Sequence, residues 1–274
     1  MQIDATARIE DGARIGKGAV IGPYCFVGGD VVIGEDCRLI ANVHVSGRTT
    51  IGARTVVHPF ACLGGAPQAF AYNGEPTTLS IGADCTIRES VTMSRGTAQG
   101  GGETVVGDGG FFMAYSHVAH DCRIGRQAIF ANCATLAGHC VLGDNVFISG
   151  LVSVHQFTRI GSGAMVAGGS TIRGDVIPFG LAVGAEARLV GINVVGMRRR
   201  RYPVAAVRAV RTAYRMIFLD PGSLAERIEK TAGELGSVEA VAQILAFLGE
   251  SRARPLCQPR GKSGGVAEEA LAAL

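Results

Sequence analysis

Aliphatic residues recur at every sixth position through most of this chain, and no other feature restricts its fold as strongly. From Ile3 the series runs through Ile9, Ile15, Ile21, Val27, Ile33, Leu39, Val45, Ile51, Val57 and Leu63. After two interruptions it resumes at Val106 and continues through Phe112, Val118, Ile124, Phe130, Leu136, Leu142, Ile148, Val154, Ile160, Val166 and Ile172. A period of six fits neither an amphipathic helix, at about 3.6, nor a lone strand, at about 2. It is the mark of a parallel β-helix, in which three hexads close one triangular coil. The fourth place of many hexads is Gly12, Gly18, Asp36, Asn42, Asp84, Asn145 or Gly163, residue types that accept the positive φ of a tight corner. Forty glycines and no tryptophan suit a chain that turns every few residues.

Positions eighteen apart share a face one strand higher, roughly 4.8 Å away. His120, Gly138 and Gln156 obey that spacing, and His139 and His155 lie one residue off the same column. Four of the six histidines fall between Tyr115 and Phe157, so the coil gathers them on one edge. Cys25, Cys37, Cys85, Cys122 and Cys140 all occupy the fifth place of a hexad, where other repeats put Ala, Val or Thr. They read as small buried fillers, since no CxxC pair is present to hold zinc.

Two stretches break the beat and are expected to loop out, at about 64–80 and 96–105. Long loops on a rigid scaffold are functional suspects. The first keeps phase between Leu63 and Ile81, whereas the second slips it by one between Met93 and Val106. The coil is expected over residues 1–188 and an α-helical domain over 189–274. Such a stack needs a cap over its last coil. Pro203 precedes helical spacing at Val204, Val207, Val210, Ala213, Tyr214, Ile217 and Phe218. Ser223 and Glu226 form a capping box for a second helix, and Val238 to Leu248 suggests a third. A net charge of +3 argues for no nucleic-acid partner. The absence of an apolar leader, or of eighteen consecutive apolar residues, predicts a cytoplasmic protein without a membrane span.

The segments HVAHDC, AGH, VHQF and GINVVGMRRRRY, with PQAFAYNGEPT and IRESVTMSRGT in the loops, resemble the UDP-N-acetylglucosamine 3-O-acyltransferases of lipid A biosynthesis over nearly the whole chain. The resemblance implies a left-handed parallel β-helix with a C-terminal α-helical domain, although ordinary crossover rules favour the other hand. It also implies a homotrimer with sites between subunits, no cofactor and no metal. The reaction would carry an R-3-hydroxyacyl chain from acyl carrier protein to the 3-position of UDP-N-acetylglucosamine, the first step of lipid A biosynthesis. Such a transfer needs a base and an oxyanion donor. An imidazole, ordinarily titrating near 6.5, is mostly neutral in the cytoplasm and can accept a proton. His120 is the expected base, with Asp121 orienting it, the Gly138 N–H as oxyanion donor, and no acyl-enzyme.

By the same resemblance, His117, His139, His155 and Gln156 line the sugar and pantetheine sides of the cleft. Gln68 contacts the sugar, Asn193, Arg199 and Arg200 contact the nucleotide, and Gly168 leaves room for a long acyl chain. Arg208, Arg211 and Arg215 share a helix face suited to acidic acyl carrier protein. Four positions depart from the family's usual pattern: Ala69 and Ala71 replace an Asp and a Lys, Ser94 a His, and Val195 a Glu. They suggest an altered acceptor, a 3-amino UDP-sugar. Three rival readings are the later N-acyltransferase of the pathway, which normally has an N-terminal uridine-binding domain where hexads here begin at Ile3, a β-helical zinc lyase using His117, His120 and His139, and a non-catalytic scaffold, which would leave the two loops and the run Arg198 to Arg201 unexplained.

Overall fold

The computed structural model describes residues 1–250 and 253–259. Each hexad forms a short strand, and each strand pairs in parallel with the third one after it. Among the described residues the result is three sheets of eleven, nine and eight strands around one core, parallel except for the last strand of the first. Val118 lies on Leu136, and Leu136 on Val154, as a coil of eighteen requires. The aliphatic and aromatic side chains that recur every six residues from Ile21 to Ile172 point inward and are buried, with the Phe112 and Phe130 rings tilted against each other at 5.0 Å between centroids. All five fifth-place cysteines are buried as well. Ile3, on the first coil described, is exposed.

Asp36, Asn42, Asp84 and Asn145 hold positive φ at the corners, as their types allow. Tyr24, Phe60, Tyr115, Leu151 and Phe157 hold it too, at a cost of roughly 1–2 kcal/mol each. The stacking hydrogen bonds enforce that shape regardless of side chain: Leu151 N–H donates to Asn132 O at 3.0 Å, and Phe157 N–H to Gly138 O at 3.1 Å.

Both interruptions are insertions at a corner. Across the first, Ile51 pairs with Ile81, and across the second, Ile81 pairs with Val106. Flanking strands Cys62–Gly65, Thr78–Ile81, Thr92–Ser94 and Glu103–Val106 lengthen to carry them. After Thr171–Ile172 the strand Gly180–Val183 extends the first sheet in parallel, and Arg188–Ile192 closes it antiparallel.

Among the described residues four helices follow: α1 (Val194–Arg199), α2 (Val204–Phe218), α3 (Leu224–Leu235) and α4 (Glu239–Gly249). Hydrophobic periodicity did not signal α1, which is too short to show one. The capping box at Ser223 and Glu226 forms in both directions. α2 buries Val207, Val210, Ala213 and Ile217, while Val204 at its first turn stays exposed. Arg159 fastens helices to coil: it bonds Asp175 through Nε at 2.8 Å and Glu250 through Nη1 at 2.6 Å, and lies 4.3 Å above the Phe247 ring. Residues 251–252 and 260–274 of the expected helical domain lie outside the described residues. Among the described residues no helix is long and apolar enough to cross a membrane.

Candidate active site

The corner between the second and third sheets carries the histidine cluster. Asp121, His139 and Phe157 occupy its positive-φ position on three successive coils, with φ of 60°, 62° and 64°. His139 N–H donates to His120 O at 3.0 Å, so backbone bonding fixes the spacing of the cluster. The His120 ring meets His139 edge-on at 5.0 Å, and His139 stacks on Phe157 at 4.4 Å and 8°. Phe157 thereby sets the His139 ring plane.

His120 Nδ1 lies 2.7 Å from Asp121 Oδ2, and the Asp121 side chain is only 1% exposed. A carboxylate there accepts a proton from Nδ1, leaving Nε2 as the imidazole's free acceptor. Gly138 lies directly beneath the ring: a Cβ on it would come within 2.5 Å of His120 Cε1 and 2.8 Å of Nε2. Its neighbours' amides are engaged, Ala137 with Val154 O and His139 with His120 O. The Gly138 N–H has no acceptor among the described residues.

His117, on the outward face of the second sheet, pairs through Nδ1 with Thr92 Oγ1 at 2.7 Å. Burial, then the neighbouring His120, pushes its pKa below the usual value. Burial lowers that of His139 too, with Asp121 opposing. His155 and Gln156 are exposed on the next coil; His155 Nδ1 faces the Gln156 carbonyl at 3.3 Å. Cys122 packs inward, and the adjacent Cys140 thiol together with burial pushes its pKa up, as befits a filler rather than a nucleophile.

The remaining candidates stand elsewhere. Gln68 is exposed on the first inserted loop, with Ala69 half-buried and Ala71 exposed beside it. Arg95 ties that loop down, donating to Gly64 O and, at 2.8 Å, to the Tyr72 hydroxyl. Ser94 is buried at a strand end. Asn193 and Arg200 occupy the corner between the third and first sheets. Asn193 caps α1 by accepting from Gly196 N–H at 2.8 Å, and donates to Gly163 O at 3.0 Å. Arg200 donates to Asn145 O and Gly163 O, while Arg199 and Val195 are exposed. Gly168 is exposed on the third corner, where a Cβ would meet only Gly150 O at 3.4 Å. One chain thus spreads His120, the pair Asn193 and Arg200, and Gly168 over three edges.

Residue spacing did not disclose Thr92, Phe157 or Thr97. Thr97 N–H and Oγ1 bond both oxygens of Asp121, at 2.8 and 2.6 Å. The seven residues that the second insertion adds to its coil hide that pairing from any count in eighteens. Ligand atoms of His120, Asp121 and His139 lie within 4.8 Å of one another. His117 turns instead to Thr92, so the three-imidazole set of the lyase reading does not assemble as expected.

Residues 175–257 match the second domain of the UDP-N-acetylglucosamine O-acyltransferase family, and residues 30–65 match the bacterial transferase hexapeptide repeat. The acyl-[acyl-carrier-protein]–UDP-N-acetylglucosamine O-acyltransferase of Rhizobium leguminosarum bv. trifolii is 47% identical over 264 residues, covering 96% of this chain and 97% of that one. Its counterpart from Azorhizobium caulinodans is 49% identical over 267 residues, covering 97% and 98%. The solved structure of LpxA from Acinetobacter baumannii superposes with a TM-score of 0.90 at 36% identity, covering 93% of this chain and all of the other. With that identity over almost its full length, and with the coil and helical cap both matched, the chain belongs to the acyl-[acyl-carrier-protein]–UDP-N-acetylglucosamine O-acyltransferase family.

Proposed function

We propose that this protein transfers an R-3-hydroxyacyl group from acyl carrier protein to the 3-hydroxyl of UDP-N-acetylglucosamine, the first step of lipid A biosynthesis, with His120 as general base. The observation that carries this is the pairing of His120 Nδ1 with buried Asp121, directly above Gly138. Nε2 takes the sugar O–H proton as the oxygen attacks the thioester carbon. The Gly138 N–H holds the resulting oxyanion, and collapse expels the thiolate, which recovers the proton from His120. No bond to the protein forms, in keeping with the inward Cys122.

A homotrimer is supported by the outer face of the first sheet. Phe111, Ile129, Phe147, Met165 and Leu181 pair in register along it, a row of large apolar side chains on a surface strand face. A second and third copy would cover that row and bring different corners of different chains together, joining His120, and Gln68 on a loop of the same corner, to Asn193, Arg199, Arg200 and Gly168. Arg208, Arg211 and Arg215 are exposed along α2 and suit an acidic carrier. A cytoplasmic location follows from these substrates.

A second reading keeps the chemistry and changes the acceptor to a 3-amino UDP-sugar. It is favoured by the uncharged Ala69 and Ala71 beside Gln68. Acyl transfer from carrier-protein thioesters of several lengths to both acceptors, for wild type and His120→Ala, separates the readings. Loss of about 10²–10⁴-fold in the variant supports the base. Faster turnover of the 3-hydroxy sugar removes the second reading. No transfer by wild type to either acceptor, with stoichiometric metal in the purified protein, would favour the metal reading instead.

A further inference from the structure

Asp121 is held by more than the imidazole it faces. We propose that Thr97, on the second inserted loop, is a positioning residue for acyl transfer: it locks the Asp121 carboxylate and through it the tautomer and plane of His120. The proposal rests on His120 being the base.

Thr97 N–H donates to Oδ1 at 2.8 Å, and Thr97 Oγ1 lies 2.6 Å from Oδ2. The direction of that second bond is settled by chemistry. Gly100 N–H donates to the same hydroxyl at 3.1 Å, so the hydroxyl's single proton is free to go to Asp121. Oδ2 then receives Thr97 and His120 together, and Oδ1 receives the loop backbone. From below, Asp121 N–H donates to Thr104 Oγ1 at 2.8 Å. Rotation of the carboxylate would break two bonds to Thr97 at once. A neutral imidazole has two tautomers, and only the one protonated at Nδ1 leaves Nε2 to accept the sugar proton.

The glycines of this loop serve the same contact. A Cβ on Gly100 would overlap the Asp121 carboxylate, so only glycine lets the loop backbone lie against it. Gly101 and Gly102 hold φ of 96° and 83°, and Gly102 N–H returns to Thr97 O at 2.8 Å to close the turn. Both polar groups that Thr97 could offer as donors are spent on Asp121, leaving none for a substrate. Its loss therefore acts on kcat and not on KM.

The test measures kcat and KM for both substrates, with melting temperature, in wild type, Thr97→Val, Thr97→Ser, Gly100→Ala and His120→Ala. Thr97→Val is expected to lower kcat roughly ten- to hundredfold, the usual effect of losing an orienting partner behind a functional group, with KM unchanged. Thr97→Ser keeps the donor and restores kcat. Gly100→Ala removes no hydroxyl, yet lifts the loop and follows Thr97→Val. Should Thr97→Val not fold, the other two decide: wild-type kcat in Thr97→Ser with a kcat-selective loss in Gly100→Ala supports the role. Wild-type kcat in Thr97→Val, a loss confined to KM, or a Ser variant as impaired as Val overturns it. A dead His120→Ala beside an intact Thr97→Val sinks the Thr97 role alone, whereas an active His120→Ala removes the base assignment and Thr97 with it.

Discussion

Replacing Gly138 with alanine separates catalytic geometry from folding. A methyl there would stand 2.5 Å from His120 Cε1, 2.8 Å from Nε2 and 3.0 Å from Nδ1. Carbon atoms settle at about 3.5 Å or more, so the ring must retreat by roughly 1 Å. It cannot do so without stretching the 2.7 Å bond to Asp121 or the edge contact with His139. A misplacement of about 1 Å costs on the order of 10²-fold in rate, or about 2.7 kcal/mol. The backbone at Gly138 is outside the left-handed region, so alanine meets no φ penalty. At such sites Gly→Ala stabilises by about 0.4–1 kcal/mol through the unfolded chain, which offsets much of the local crowding. Steady-state acyl transfer and thermal melting, run on the same preparation, should show kcat down about 10²-fold with little change in melting temperature. A variant within a few-fold of wild-type kcat would refute the placement of the ring over Gly138, and so the shared site for base and oxyanion.

Removing Arg159 by Arg159→Ala leaves Asp175, which is 0% exposed, as a buried carboxylate without its cation, and should cost about 3–5 kcal/mol in urea unfolding and loosen the helices to proteolysis. Because burial holds the pKa of His117 below 6.5, the unfolded chain binds more protons there on acidification; stability should fall as pH drops from 6.5 through the lower native value, and His117→Gln should flatten that dependence in urea midpoints. Thiol titration of the native protein should label Cys62 and Cys133 quickly, and all eight cysteines only after denaturation; fast labelling of Cys122 would contradict its inward packing.

The coil was legible because its cause is local and repeated. An aliphatic residue at each sixth place must go inward, and a strand with a tight corner is the structure that lets every one do so. The capping box before α3 and the spacing of α2 are likewise short-range signals. Even the column of His120, Gly138 and Gln156 followed from counting, since eighteen residues make one coil. α1 escaped because a six-residue helix has no period to detect.

What the chain could not disclose without its tertiary structure is what each corner residue touches. Thr97 reaches Asp121 because an insertion with no repeat of its own folds back, and nothing in its length dictates where it lands. The choice of Nε2 as the free nitrogen depends on which ring atom faces a buried oxygen, a matter of side-chain packing. That Gly138 makes room for an imidazole, and not for a turn, is visible only once His120 lies over it. Sequence fixes a repeating path when every hexad contributes the same small term; contacts between different coils and inserted loops depend on the single three-dimensional arrangement in which all those terms are satisfied together.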